Sequence, residues 1–198
     1  MRHRTSTSRA NARPGSEHQT GPSRPIIRPD ALIALDTSAL LAYLGGGELT
    51  SGAAATIIDG FVASGRNRAL VSAISVTEAL VRPFRAGSSS AVGTVEAFLS
   101  SFPHLTIAPV SFDIAREAAR IRAATALRTP DALILATAVV WSAEVVVAND
   151  RAWERAVERA RLPFSIVDLA SFADGKRSQS GEPAGPERMP PTASTWTR

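Results

Sequence analysis

Cysteine is absent from the 198 residues, and lysine occurs once, as Lys176. Without thiols there is no disulfide framework and no thiolate zinc site, which fits a reducing cytoplasm. Histidine is nearly as scarce. His3 and His18 lie near the N-terminus and His104 stands alone, so an acid–base pair of imidazoles is improbable. Aromatic residues make up only 6% of the chain, which leaves Ala, Val, Leu and Ile to fill most of a core. No apolar run is long enough to span a bilayer, since 132–148 is interrupted by Glu144. The first 30 residues lack the apolar centre of a signal peptide. The expectation is a cytoplasmic protein with no membrane partner.

The formal charge of +4 is unevenly spread. Residues 1–30 hold six Arg against Glu17 and Asp30, residues 174–198 hold four basic against three acidic residues, and 31–173 hold 12 Arg against 13 acids. The basic excess therefore belongs to the ends, and the high pI is weak evidence for nucleic-acid binding. Length favours one domain. Residues 1–29, rich in Arg, Ser, Thr and Pro, read as a disordered extension, 30–173 as the folded domain, and 174–198 as a disordered tail.

Inside 30–173, strand-like and helix-like runs alternate. Strands are expected at 31–35, 69–73, 105–110, 145–148 and 165–167. Helices are expected at 38–44, 53–64, 76–84, 94–101, 111–126, 130–142 and 152–160. Alternation of this kind implies a largely parallel sheet covered on both faces.

Four acids fall where these elements begin or end: Asp36, Glu78, Asp131 and Asp150. In an open α/β sheet, ligands bind outside the carboxyl ends of the strands, so carboxylates placed there converge. Converging carboxylates repel unless a cation or shared protons neutralise them, and the pattern reads as a divalent-metal site. Each acid also has a plain structural reading. Asp36 suits an N-cap. Ser75-Val76-Thr77-Glu78 matches a capping box. Asp131 follows Pro130 in a first helical turn, and Asn149-Asp150 suits a capping turn. Four independent caps need not share one sheet edge, however, and a capping acid there already stands beside the site.

Leu35-Asp36-Thr37-Ser38-Ala39-Leu40-Leu41, Val76-Thr77-Glu78, Pro130-Asp131-Ala132-Leu133-Ile134-Leu135-Ala136 and Ala148-Asn149-Asp150 together resemble the successive motifs of PIN-domain nucleases. The likeness is greatest to the VapC-type toxins of bacterial toxin–antitoxin pairs, and it runs over about 31–168. The resemblance implies a three-layer α/β/α sandwich with a largely parallel central sheet. It further implies a Mg2+ or Mn2+ site, single-strand-directed ribonuclease activity and a cognate small antitoxin as partner. A homodimer is also expected. By that resemblance Asp36 and Asp131 would bind metal most directly, with Glu78 and Asp150 completing the catalytic site through water. One position departs from the pattern. Ala148 stands where many members carry Thr or Ser, and either Thr37 or Ser38 is available to supply a hydroxyl nearby.

Ser38, Arg82, Arg85, Arg128 and Arg151 are the candidate substrate contacts, the arginines as phosphate ligands near the acids. Solvated surface charge is an equal alternative for any one of them. Phe84 suits a core or dimer contact better than a base-stacking platform. Trp141 and Trp153 read as core or interface residues. Two other functions stay open: a housekeeping PIN nuclease, and a non-catalytic module of the same fold that binds RNA or protein. A haloacid-dehalogenase-type phosphatase fits poorly, because Ser38 stands where its second Asp belongs.

Overall fold

The computed structural model describes residues 27–46, 50–150 and 152–173. Five short strands form one sheet: β1 (Leu32–Leu35), β2 (Arg68–Ser72), β3 (Leu105–Ala108), β4 (Val145–Ala148) and β5 (Ser165–Asp168). Their order is β3-β2-β1-β4-β5, and every pairing is parallel. Parallel neighbours need crossovers, and these are helical: α1 (Thr37–Gly45), α2 (Ser51–Ile57), α3 (Ala73–Arg85), α4 (Ser89–Ser101), α5 (Phe112–Ala124), α6 (Thr129–Val140) and α7 (Ala152–Ala160). A last helical turn occupies 169–173.

The sheet separates two cores. Ile33, Leu35, Val71, Val147 and Val167 face α1, α2 and the α3–α4 pair. Ala34, Leu70, Val146 and Ala148 face α5, α6 and α7. Alternate residues of each strand thus serve opposite layers, as the two-residue period of a strand requires. Because both faces are covered, β4 is buried from end to end, and its sequence is an unbroken apolar run. The result is the expected α/β/α sandwich with a parallel sheet.

Several boundaries differ from the sequence-based expectation, each for a local reason. β3 stops at Ala108 because Pro109 has no N–H to continue the ladder. α4 starts at Ser89 with Ser88 as its cap, earlier than Thr94, since Val95 and Leu99 are buried and draw the serine-rich segment into the helix. The run expected as one helix over 53–64 changes at Ile58 into a π-helical stretch, Ile58–Ala63. Ile57, Ile58 and Val62 are all buried there, and exposed Asp59 accepts a 2.7 Å hydrogen bond from Tyr43. α3 begins directly at the end of β2, so Ser72 rather than Ser75 is the cap, with extended φ −70° and ψ 143°. Ser75 is fully buried inside the first turn, and the expected capping box does not form. Gly46 ends α1 at φ 63°, the left-handed conformation glycine adopts without penalty.

Ile27, three residues before the expected start of the domain, is buried in the first core. Asn67 fastens that segment by donating to the carbonyls of Arg28 at 2.8 Å and Ala31 at 2.9 Å. The rest of the extension, 1–26, and the tail, 174–198, lie outside the described residues. Trp153 is buried in the second core, whereas Trp141 is 41% and Phe84 62% exposed, so neither of the latter is a core residue.

Truncating Ile27 to alanine should cost about 2–4 kcal/mol of unfolding free energy, as for other buried aliphatic side chains. The check is a shifted denaturant midpoint at constant slope. An unchanged midpoint would mean that residues before 30 do not belong to the cooperative unit.

Candidate metal centre

The sheet order makes one crevice special. β2 and β3 extend to one side of β1, and β4 and β5 to the other, so the chain reverses direction between β1 and β4. Ligands in open parallel sheets collect at such a switch point, outside the carboxyl ends of the strands. Asp36 follows β1 there, and Asn149-Asp150 follow β4.

Asp36 is held on three sides. Its backbone N–H donates to Val147 O at 3.0 Å, which extends the β1–β4 ladder by one bond. Its Oδ2 accepts from Ser38 N at 3.2 Å and from Ser38 Oγ at 2.7 Å, so the acid does cap α1. Ser38 Oγ in turn accepts from Asn149 N at 2.9 Å, tying the turn after β4 to the first acid. Thr37, one residue earlier, points its hydroxyl the other way and donates to Glu78 Oε2 at 2.6 Å. Both hydroxyls therefore face acids, each a different one.

Glu78 reaches Thr37 from the second turn of α3, whose start is fixed by the Ser72 cap. Asp131 sits in the first turn of α6, after Pro130. Thr137 Oγ1, farther along α6, lies 2.7 Å from Leu133 O and 3.1 Å from Ser72 Oγ, which binds this helix to the end of β2. The Asp131 carboxylate pairs with Arg128, Nε to Oδ2 at 3.1 Å and a longer second contact of 3.5 Å to Oδ1. Asp150 Oδ1 accepts from Ala152 N at 2.8 Å and so caps α7 as well.

Electrostatics link these groups. Burial pushes the Asp36 carboxyl above its ordinary value; the Ser38 hydrogen bonds oppose this, and the charge of Glu78 adds to it. Arg128 is raised by its hydrogen bond to Asp131, then by that carboxylate's charge, with Glu78 and Asp150 contributing in the same direction. Asp36 thus lies within electrostatic reach of Glu78, and Arg128, which contacts Asp131, within reach of Glu78 and Asp150. Among the described residues, no three acidic or imidazole side chains stand close enough to form a metal cage unaided. The donors nevertheless fit a hard divalent cation. They are carboxylate and hydroxyl oxygens, without sulfur or imidazole, and an ion such as Mg2+ keeps several waters while taking one or two carboxylates.

Of the candidate phosphate ligands among the described residues, Arg128 alone contacts an acid of the group. Arg82 lines a cavity between α1, α3 and α4. Arg85 is exposed in the last turn of α3, and Arg151 lies outside the described residues. Sequence reasoning passed over Ser72 and Asn149, whose roles depend on partners far along the chain. It also missed Asp168, buried at the end of β5, where Oδ2 accepts from Ser171 N at 3.0 Å and Oγ at 2.7 Å. An acid ending a strand was the signal that marked Asp36, and it was present here too.

The PIN domain family pattern matches residues 33–158. The chain belongs to the PIN-domain family. Members of that family are typically metal-dependent nucleases that bind Mg2+ or Mn2+. No curated protein matches this PIN domain in sequence. Its structural neighbours include VapC-type toxins at low identity. FitAcB from Neisseria gonorrhoeae superposes with a TM-score of 0.54 at 20% identity, over 70% of this chain and 98% of that one. VapC20 of Mycobacterium tuberculosis, described as a toxin that cleaves the sarcin–ricin loop, gives 0.53 at 19% identity, over 63% and 94%. VapBC2 from Rickettsia felis, bound to a DNA fragment from its promoter, gives 0.50 at 16%, over 69% and 98%. At these identities the likeness establishes the fold.

A carboxyl raised above 3.8 in the folded state makes the metal-free PIN domain lose stability as pH climbs through the raised value. Asp36→Asn keeps the cap. It should raise the melting temperature at neutral pH in chelator and flatten that decline. A lower melting temperature would refute the strain. Ser38→Ala should cost about 1–3 kcal/mol in chemical denaturation, because Asp36 and Asn149 both lose a partner.

Proposed function

We propose that this PIN domain is a Mg2+- or Mn2+-dependent endoribonuclease and the toxin of a toxin–antitoxin pair. The observation that carries the reading is the pairing of Asp36 with Ser38 and of Glu78 with Thr37 at the switch point, beside Asp131 and its arginine. In this reading Asp36 and Asp131 hold the ion directly, and Glu78 and Asp150 act through water. When bound, the cation lowers the pKa of an attacking water and offsets charge on the scissile phosphate. Thr37 keeps the Glu78 carboxylate turned toward the site. Ser38 does the same for Asp36 and holds the turn that leads to Asp150. Arg128 is exposed and free to exchange Asp131 for a substrate phosphate, a charge-assisted contact of the same kind.

The cavity of about 530 Å³ between α1, α3 and α4 supports an antitoxin as partner. Leu41, Leu44, Ala79 and Val95 line it, with Arg82 among them, and an apolar helix suits such a groove. A basic side chain from that partner, reaching the acids, would exclude both ion and phosphate. A homodimer is favoured by Val81 and Phe84, exposed one turn apart on α3.

Purified protein should cleave single-stranded RNA with Mg2+ or Mn2+ and stop on chelation. Asp36→Asn or Asp131→Asn should lower the rate by about a hundredfold or more, beyond what residues merely supporting a metal ligand contribute. Cleavage that survives either substitution, or EDTA, would overturn the metal-dependent mechanism at these acids, and no cleavage by wild type would overturn the nuclease assignment. Expression of the chain alone should arrest growth, and co-expression of the adjacent gene product should relieve it. Normal growth with soluble, RNA-cleaving protein would leave a nuclease that is not a toxin.

A further inference from the structure

A second groove, of about 190 Å³, runs between α7 and the connection from α5 to α6. Thr125 and Leu127 form one wall, and Ala152, Arg155, Ala156 and Arg159 the other. The four α7 residues fall at positions i, i+3, i+4 and i+7, which is one face of a helix. Among the described residues, no acid lines the groove. Glu154 and Glu158 each precede an arginine by one residue and so lie about 100° around the helix from it. Among the described residues, Arg155 and Arg159 form no ion pair, a property they share with Arg66, Arg68, Arg82, Arg85, Arg122 and Arg161; what sets them apart is that both line one groove.

Both walls run into the acid cluster. Ala152 at the end of one wall donates its N–H to Asp150. Leu127 on the other is followed by Arg128, whose guanidinium holds Asp131. A polyanion approaching four carboxylates is repelled, so cations along its path are what such a site needs. The two arginines are one turn apart, about 6 Å along the α7 axis. Leu127 and buried Ala156 offer the two arginine stems an apolar surface to lie along, with the guanidinium heads exposed.

We propose that this groove carries the phosphodiester backbone of single-stranded RNA away from the acid cluster, with Arg155 and Arg159 as its phosphate contacts. The proposal rests on the nuclease reading and specifies where the substrate lies beyond the scissile bond. Charge complementarity and continuity with the acids favour this occupant over a protein partner.

The test compares wild-type full-length chain with Arg155→Glu/Arg159→Glu and with Arg155→Lys/Arg159→Lys, each checked for an unchanged melting curve. The Glu variant should raise KM for a single-stranded RNA of about twelve nucleotides at least about tenfold more than KM for a dinucleotide. The slope of log affinity against log salt should shrink by about 1.4, the loss expected for two phosphate contacts on a single strand. The Lys variant, which keeps both charges, should stay within about threefold of wild type. If KM rises equally for long and short substrates, or the salt slope stays unchanged, the groove does not carry RNA. Should wild type cleave no RNA, the nuclease reading fails, and direct binding of the same oligonucleotide still decides the groove. Equal affinity of wild type and Glu variant overturns it, and a drop of about tenfold supports it. If the Glu variant misfolds, the Lys variant and single Arg155→Ala and Arg159→Ala substitutions take its place. Wild-type affinity in both alanine variants overturns the proposal. Loss of antitoxin binding with undiminished RNA affinity would assign the groove to a protein instead.

Discussion

The Ser38 hydroxyl bridges the switch point of the sheet, accepting from the Asn149 N–H after β4 and donating to the Asp36 carboxylate after β1. Two strands whose ends diverge into different crossovers are thereby held at a fixed separation where the site forms. Together with the Asp36 N–H on Val147 O, it orients Asp36 and sets where the turn toward Asp150 begins. Ala148 is fully buried in the second core and contributes no hydroxyl, and Ser38 serves this edge from the first turn of α1, after β1. The rest of the cluster is attached to the same frame, Glu78 through Thr37 and Asp131 through the contact of Thr137 with Ser72.

Acids gathered toward one sheet edge have to be accommodated by the fold itself. Here each acid is engaged separately. Asp36 is neutralised in part by donors from Ser38, Glu78 by Thr37, Asp131 by Arg128 and Asp150 by the start of α7. For Asp36 and Asp150, capping and the proposed role use one arrangement, since an acid that faces a helix N-terminus at this sheet edge also faces the crevice. The remaining tension sits at Asp36, the most buried of the four, whose carboxyl is raised mainly by desolvation.

The scaffold beneath this edge is built from small aliphatic residues. Ala39, Ala42, Ala53 and Ala54 on one side, and Ala132, Ala136 and Ala138 on the other, let helices approach the sheet closely without large aromatics. α5 and α6 pack on each other across Ile114, Ala118 and Ile121, which sets the base from which Arg128 and Asp131 project. Three aromatics, Tyr43, Phe98 and Phe102, form a group that joins α1 to α4.

The succession of apolar runs and amphipathic segments was enough to establish a parallel α/β sandwich, because strands buried on both faces must be continuously apolar and must be joined by helices. It was also enough to put Asp36 and Asp150 at one edge, since parallel strands all end on the same side. The capping partners of α3, the π-helical stretch after α2 and the choice between Thr37 and Ser38 were not legible. Thr37 meets Glu78 across 41 positions, and Ser38 meets Asn149 across 111. Local periodicity carries no record of such contacts. The groove between α7 and the α5–α6 connection exists for the same reason only in the fold: Arg155 and Arg159 lie on one helical face by sequence, but what that face looks toward is decided by how α7 packs on the sheet.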